Sequence, residues 1–268
     1  MATYNNFSYS LQMPEVTAAI KKHMLNNYDH NLLIKNRFHL VETFKEEFLE
    51  WINKGPLKFN GLDEFPYFYI TNGITEFIQE AIPEHKLRPI SQPGEYPGYH
   101  YKAQICIENG IKLENKIPVI SLPFYSNAEI HSKTNKIISQ DSIVDLAWSS
   151  NYAKKDQFDL SKSKYVVYSF SKTFGMQYHR IGVCFSKQKL WSIEVYHKNH
   201  YVNLAALSIV KELIKTFEPN YLYDKYREDF EKICYKNNLQ PSNSLWFGLQ
   251  DGVKVPLFEL LYEEYYKK

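Results

Sequence analysis

The fold is decided by one stretch of the chain, Tyr165-Val-Val-Tyr-Ser-Phe-Ser-Lys-Thr-Phe-Gly-Met-Gln-Tyr-His-Arg-Ile-Gly-Val-Cys-Phe-Ser186. Residues 165–168 and 180–185 are rich in β-branched and aromatic side chains, a pattern that predicts two strands joined by a polar turn. The turn contains Lys172. A lysine beside an apolar strand is partly desolvated, which lowers the pKa of its ammonium group and makes it an amine nucleophile.

The polar residues around Lys172 are suited to binding a phosphate group. Ser169 and Ser171 supply hydroxyl groups, and Arg180, eight residues after the lysine, supplies a guanidinium group. A simple hairpin that carries a solvated lysine and a surface arginine is the alternative interpretation. The other parts of the chain decide between the two.

The segment Ser169-Phe-Ser-Lys-Thr-Phe-Gly175, followed by Arg180-Ile-Gly182, resembles the cofactor-lysine segment of the class I/II aminotransferases. These are fold-type I enzymes that use pyridoxal 5′-phosphate (PLP). The resemblance implies that Lys172 forms the internal aldimine with PLP, and that the serines and the arginine hold its phosphate. It also implies an α/β fold with a mainly parallel central sheet and helices on both faces. The cofactor is then expected outside the carboxyl ends of the strands.

A second segment of this kind follows the predicted strand at residues 67–70. The sequence Thr71-Asn-Gly-Ile-Thr-Glu76 leads from that strand into a run with helical periodicity. Free N–H groups at a helix start favour anions, although an ordinary strand–helix connection has the same appearance. The resemblance implies that Gly73, Ile74 and Thr75 bind the phosphate through their backbone.

A rigid turn, Gln92-Pro-Gly-Glu-Tyr-Pro-Gly-Tyr99, can present an aromatic ring to the cofactor. The resemblance points to Tyr96 as the residue that packs on the pyridine ring, with Tyr99 as the second choice. A tyrosine-rich surface loop is the alternative.

An aspartate at a strand end, Asp145-Leu-Ala-Trp148, matches the Asp-x-Ala-Tyr motif of the family and precedes Lys172 by 27 residues. A desolvated carboxylate needs a cation or a donor. The resemblance implies that Asp145 keeps the pyridine nitrogen protonated and that Trp148, in place of tyrosine, donates to the phenolic oxygen. A helix cap or a strand-end ion pair is the structural alternative for Asp145.

The sequence departs from the family in two places. After the strand at residues 118–123 there is no asparagine of the Asn-Pro-Thr-Gly type, and Tyr125 or Asn127 is the candidate substitute. The chain also has no arginine after Arg227, so the arginine that grips the substrate carboxylate is missing. We therefore expect weak activity with small α-amino acids such as aspartate.

The composition excludes several other classes of function. A net charge of +2 over 268 residues gives no reason to expect a nucleic-acid partner, and no run of about 18 apolar residues predicts a membrane span. Neither a signal peptide nor a metal-binding motif is recognised. Three cysteines without a CxxC pair, Cys106, Cys184 and Cys234, are typical of a reducing compartment, so a cytoplasmic location is expected.

We expect three parts of the chain: a helical N-terminal segment (1–60), a large PLP-binding α/β domain (61–200) and a reduced C-terminal small domain (201–268). A single amphipathic helix is predicted over Arg37–Asn53. Relatives form homodimers, and the apolar stripe of this helix, Phe44, Phe48 and Trp51, is a candidate for core or interface packing.

The function implied by the resemblance is transfer of an amino group between an amino donor and an oxo acid. A lyase, decarboxylase or cyclase that uses the same cofactor is the first alternative, because the residues around PLP do not choose between these reactions. A PLP-binding partner subunit without turnover is the second alternative.

Overall fold

The computed structural model describes residues 10–26 and 29–267. Its helices are α1 (Pro14–Asn26), α2 (His30–Lys35), α3 (Arg37–Glu42), α4 (Phe44–Ile52), α5 (Ile74–Glu84), α6 (Gly98–Glu108), α7 (Thr134–Ile138), α8 (Phe170–Thr173), α9 (Trp191–Lys198), α10 (Leu204–Thr216), α11 (Tyr221–Lys236) and α12 (Phe258–Tyr266). Its strands are β1 (Leu57–Asn60), β2 (Tyr67–Thr71), β3 (Leu87–Ile90), β4 (Asn115–Ser121), β5 (Ile143–Asp145), β6 (Asp156–Asp159), β7 (Tyr165–Ser169), β8 (Gly182–Ser186), β9 (Gln240–Pro241), β10 (Phe247–Gln250) and β11 (Val253–Pro256).

Six strands form the central sheet in the order β2-β8-β7-β5-β4-β3. The strands β3, β4, β5 and β7 are parallel to one another, and β8 runs antiparallel to both β7 and β2. The sheet is therefore mainly parallel, and the predicted fold class is confirmed. The two predicted strands around Lys172 are β7 and β8, and the connection between them includes the short helix α8.

The sheet is buried on both faces. Val166 packs into a core that also takes side chains of α1, α4 and α10, whereas its neighbour Val167 packs into a second core formed with α5, α6 and α9. Consecutive residues of a strand point to opposite faces, so a strand covered on both sides is apolar throughout. This explains the continuous apolar run at residues 165–168.

The aromatic stripe of α4 belongs to the core. Phe48 lies 5.2 Å from Tyr168 between ring centroids, and Trp51 lies 5.7 Å from Phe170. Phe44, Phe48 and Trp51 are at most 2% exposed, so the suggestion that they give apolar surface to a dimer is wrong.

The helix expected over Arg37–Asn53 is interrupted at Thr43, which separates α3 from α4. The Thr43 hydroxyl donates to the backbone oxygen of His39 at 2.9 Å and lies 2.5 Å from Nζ of Lys211. A threonine that bonds the preceding turn bends a helix, and hydrophobic periodicity does not report this.

Two smaller sheets flank the central one. β1 pairs in parallel with β6, and β9, β10 and β11 form an antiparallel sheet near the end of the chain. The domain boundaries near residues 60 and 200 stay a prediction.

The three cysteines are unpaired and buried. No helix among the described residues has both the length and the apolar character needed to cross a membrane. Within residues 10–26 and 29–267, no group of three or more His, Cys, Asp or Glu side chains is arranged to hold a metal ion.

Candidate active site

The candidate site lies where three parallel strands end. Ser121, Asp145 and Ser169 are the last residues of β4, β5 and β7, and Ser121 is paired with Asp145 in the sheet. Parallel strands end at one edge of a sheet, where open α/β folds bind their ligands. A cavity of about 280 Å³ opens there.

Nine of the ten predicted site residues line this cavity: Ile74, Thr75, Tyr96, Asp145, Trp148, Ser169, Ser171, Lys172 and Arg180. The tenth, Gly73, lies next to the Arg180 guanidinium, since a Cβ added at Gly73 would be 3.2 Å from Nη2 of Arg180. Four further residues line the cavity, of which the sequence had suggested only Tyr125: Ser121, Tyr125, Ala147 and Gln177.

Lys172 is held by a short helix rather than by an irregular turn. α8 begins after Ser169, whose hydroxyl accepts a hydrogen bond from the backbone N–H of Ser171. The Lys172 ammonium group lies 5.0 Å from the centroid of the Trp148 ring. Burial, with a smaller contribution from the charge of Arg180, lowers the pKa of Lys172 to about 8. About a tenth of this amine is therefore neutral and nucleophilic at pH 7, far more than for an ordinary lysine.

A second part of the cavity is built to receive an anion. Gly73 is the N-cap of the eleven-residue helix α5 and has φ of 77°. Nη2 of Arg180 donates to the Thr75 hydroxyl at 2.9 Å, so the guanidinium lies over the helix start. The Ser171 hydroxyl is buried and has no hydrogen-bond partner among the described residues. A helix N-terminus, a guanidinium and an unused hydroxyl together suit a phosphate group.

Asp145 is 3% exposed and has no ion pair with any described residue. Its carboxylate accepts hydrogen bonds from the backbone N–H of Ala147 at 2.9 Å and from the Tyr99 hydroxyl at 3.0 Å. Burial raises its pKa to about 7, and the charge of Glu95 adds to this effect. The strand-end ion pair considered from sequence is not formed in the described part of the chain. A cationic donor in the cavity would compensate this buried charge.

Glu95 was not identified from sequence as a functional residue. It is 8% exposed, and it accepts hydrogen bonds from Ser121 N–H and from Tyr96 N–H, each at 2.8 Å. The Ser121 hydroxyl also donates to it. Burial raises the pKa of Glu95. By joining its own turn to the end of β4, the carboxylate fixes the position of Tyr96.

Tyr96 and Tyr125 form an aromatic wall of the cavity, with ring centroids 5.4 Å apart. Tyr99, the second choice for a stacking ring, is fully buried and instead bonds Asp145. Asn127 accepts from the backbone N–H of Glu129 and does not line the cavity. Of the two proposed substitutes for the missing asparagine, the structure thus places Tyr125 at the site.

A third aromatic residue of the lining, Trp148, packs edge-on against Phe247 of β10, with ring centroids 5.4 Å apart. Lys254 of β11 lies near both parts of this aromatic lining: its ammonium group is 3.5 Å from the centroid of the Tyr125 ring and 5.7 Å from that of Trp148. Sequence reasoning missed Lys254 because nothing in the local pattern distinguishes it from a surface lysine of a hairpin.

Only Arg180 among the four arginines lines the cavity. Arg37 donates to the backbone oxygen of Ile34, and Arg227 pairs with Glu231, both at exposed positions. Arg88 is an exposed residue of β3. The structure therefore offers no second guanidinium fork at the cavity from the described residues.

Taken together, the cavity combines a nucleophilic amine, an anion-binding helix start, a buried carboxylate and aromatic walls. Such a set suits a phosphorylated aromatic aldehyde: the amine would condense with the carbonyl with loss of water, while the helix start and the guanidinium would hold the phosphate.

Comparisons with known proteins identify the fold of this chain but find no relative of high sequence identity. No protein-family model matches the sequence, and no curated protein matches it. Solved structures do match, and they share with this chain an α/β fold with a mainly parallel central sheet.

Aspartate aminotransferase from Thermotoga maritima is 12% identical, with a TM-score of 0.56 over 90% of this chain and 74% of that chain. L-threonine-O-3-phosphate decarboxylase from Porphyromonas gingivalis is 13% identical, with a TM-score of 0.56 over 88% and 79%. The PLP-bound C-S lyase from Staphylococcus hominis is 11% identical, with a TM-score of 0.52 over 90% and 74%. The chain has the fold of the fold-type I PLP-dependent transferases.

Proposed function

We propose that this protein is a PLP-dependent enzyme that transfers an amino group between an amino donor and an oxo acceptor. The observation that carries the proposal is the convergence of Lys172, Asp145 and Arg180 on one cavity at the carboxyl ends of the strands. Each supplies a different function that PLP requires, namely an amine, a partner for the ring nitrogen and a phosphate ligand.

The residues of the cavity fit this cofactor. The turn Gly73–Thr75, Ser169, Ser171 and Arg180 would hold the phosphate, and the unused Ser171 hydroxyl is the kind of donor that a phosphate would engage. Tyr96 would pack on the ring, Asp145 would hold the proton on the ring nitrogen, and Trp148 would donate to the phenolic oxygen. When bound, PLP supplies an aldehyde that condenses with amines and a protonated ring that withdraws electrons.

Lys172 has two tasks in this proposal. Its amine would hold the cofactor covalently, and as a free base its neutral Nζ would take a proton from the substrate α-carbon and later return it. Burial and the positive charge of Arg180 keep the amine partly neutral, since both lower its pKa. With the cofactor bound, Asp145 would stay ionised, because the positive charge of the protonated ring would compensate the cost of burying the carboxylate.

The reaction type is tested by following the cofactor during single turnovers. With an amino donor alone, transamination should convert one equivalent of bound PLP to pyridoxamine phosphate, and an added oxo acid should restore PLP. Loss of the donor with no pyridoxamine phosphate would refute amino-group transfer.

A PLP-dependent lyase, decarboxylase or cyclase is the second candidate. It is favoured by the similarity of the fold to both a C-S lyase and a decarboxylase at scores close to that of the aminotransferase. The same experiment separates the candidates, because these reactions release a fragment of the substrate and leave the cofactor as PLP.

Replacing Gly73 by alanine should weaken PLP binding by about 10-fold. The added Cβ would lie 3.2 Å from Nη2 of Arg180, and φ of 77° is unfavourable for alanine. Gly110→Ala is a matched control, because Gly110 has φ of 78° and open space around the new Cβ. PLP affinity would be measured by fluorescence titration of both variants. Equal affinities would show that the Gly73 turn does not hold the phosphate.

We also propose a cytoplasmic homodimer. Its support is an exposed apolar group on α2 and α3, namely Leu32, Ile34 and Phe38. Phe38 stands where many family members carry a tyrosine that reaches the partner's phosphate, so this contact would be lost here. Sedimentation velocity at micromolar concentration should give a dimer, and Phe38→Asp should weaken it. A wild-type monomer that binds PLP and is active would refute the dimer.

A further inference from the structure

Lys254 has an unusual environment for a lysine of a short hairpin. Its side chain is only partly exposed, and its Nζ lies 3.5 Å from the centroid of the Tyr125 ring, 5.4 Å from that of Phe247 and 5.7 Å from that of Trp148. Its hydrogen bond to a described residue goes to the backbone oxygen of Tyr125 at 3.4 Å. The ammonium group is thus surrounded by aromatic rings, two of which line the cavity.

Among the described residues no carboxylate pairs with Lys254. The charged group that acts on it is the Lys172 ammonium, which has the same sign, and burial together with this repulsion lowers the pKa of Lys254 to about 7. Trp148 and Phe247 have no titratable group, and the pKa of the Tyr125 phenol is raised to about 12 by burial. A partly desolvated cation without a counter-charge is costly, so an anion would stabilise it.

The position of Lys254 shows where such an anion would bind. Its ammonium group and that of Lys172 lie 5.7 Å and 5.0 Å from the centroid of one indole ring, that of Trp148. A small molecule whose amine reaches Lys172 therefore brings its other end close to Lys254. Arg180 does not compete for that end, because it is hydrogen-bonded to Thr75 at the helix start.

We propose that Lys254 binds a carboxylate of the substrate and so selects amino donors that carry one beside an apolar or aromatic body. The inference rests on the proposed function, because it assumes that the amino donor enters this cavity. A lysine makes a point-charge contact and lacks the planar, two-pronged guanidinium of an arginine. The orientation of the substrate therefore has to be set by the rings of Tyr125 and Trp148. Unlike a guanidinium, this group loses its proton near neutrality, so carboxylate binding should weaken as the pH rises through about 7.

The test uses the PLP-loaded protein and a probe without an amine, 3-phenylpropanoate, with 3-phenylpropanamide as its uncharged match. Calorimetry would give Kd at about pH 6 and about pH 8.5 for the wild type, Lys254→Met and Lys254→Arg. The wild type should bind the carboxylate about 10-fold more tightly at the lower pH. At the lower pH, Lys254→Met should bind the carboxylate about 10-fold more weakly than the wild type. Lys254→Arg should bind it well at both pH values.

Borohydride reduction and intact mass, measured on the same samples, separate this inference from the proposed function. A cofactor adduct in all three proteins shows that they are folded and loaded. If the adduct forms but Lys254→Met binds the carboxylate as tightly as the wild type, or Lys254→Arg keeps the full pH dependence, the inference is wrong. A wild type that forms no adduct would instead refute the proposed function. An effect of Lys254→Met on the PLP absorbance alone, with unchanged carboxylate affinity, would also overturn the assignment.

Discussion

Lys172→Ala should form no borohydride-stable adduct with PLP and should lose turnover by about 10⁴-fold or more. The variant removes both the amine that holds the cofactor and the base that moves the substrate proton. Adduct formation would be followed by intact mass, and turnover by conversion of an amino donor. This is the largest effect that the proposed mechanism predicts for a single side chain.

A matched control is Lys187→Ala. Lys187 follows β8 in the same part of the sequence and is partly buried, but it donates to the backbone oxygen of Ser161 and does not line the cavity. It should keep both adduct and turnover. If Lys172→Ala still forms a single-site adduct, the cofactor is held by another amine, and Lys254 is the first to examine because its pKa is also lowered.

Asp145→Asn should keep PLP but lose about 10²- to 10³-fold in turnover. An asparagine can accept a hydrogen bond from the ring but has no charge with which to hold a proton on the ring nitrogen. Asp159→Asn is the control, since Asp159 is also the last residue of a strand, β6, but is exposed and outside the cavity. Turnover within a few-fold of the wild type in Asp145→Asn would show that Asp145 is structural.

The same substitution should stabilise the cofactor-free protein. The pKa of Asp145 is about 7 in the folded protein against 3.8 for the free side chain, so the folded state holds this proton more tightly. The contribution to stability is present below about pH 4 and is lost as the pH rises through 7. At about pH 8, the free energy of unfolding of Asp145→Asn should be about 4 kcal/mol higher than that of the wild type, with little difference near pH 4. Urea denaturation at both pH values measures this, and equal stability at pH 8 would contradict it.

The features that the sequence predicted well, the residues around Lys172 and the α/β class, depend on short, contiguous sequence patterns. The relative positions of Ser169, Ser171, Lys172 and Arg180 are determined within one strand–helix–strand unit. The Gly73 turn belongs to another such unit. Because parallel strands place their ends at one edge, such local motifs were enough to bring Asp145 and Lys172 together. The α/β class followed from the same elements.

What the sequence did not predict depends on contacts between distant segments. Glu95 supports the site only because its turn meets the end of β4 at Ser121, and Lys254 comes near the lining of the cavity only because β11 packs near Tyr125. The break at Thr43 and the burial of the α4 stripe also result from tertiary packing, which periodicity alone does not resolve.

The central claim is that Lys172 holds PLP in this cavity. The most direct measurement is borohydride reduction of the wild-type protein incubated with PLP, followed by intact mass and peptide mapping. We predict one pyridoxyl group per chain, attached to Nζ of Lys172. A protein that stays unmodified under saturating PLP, or carries the group on a different lysine, would contradict the account.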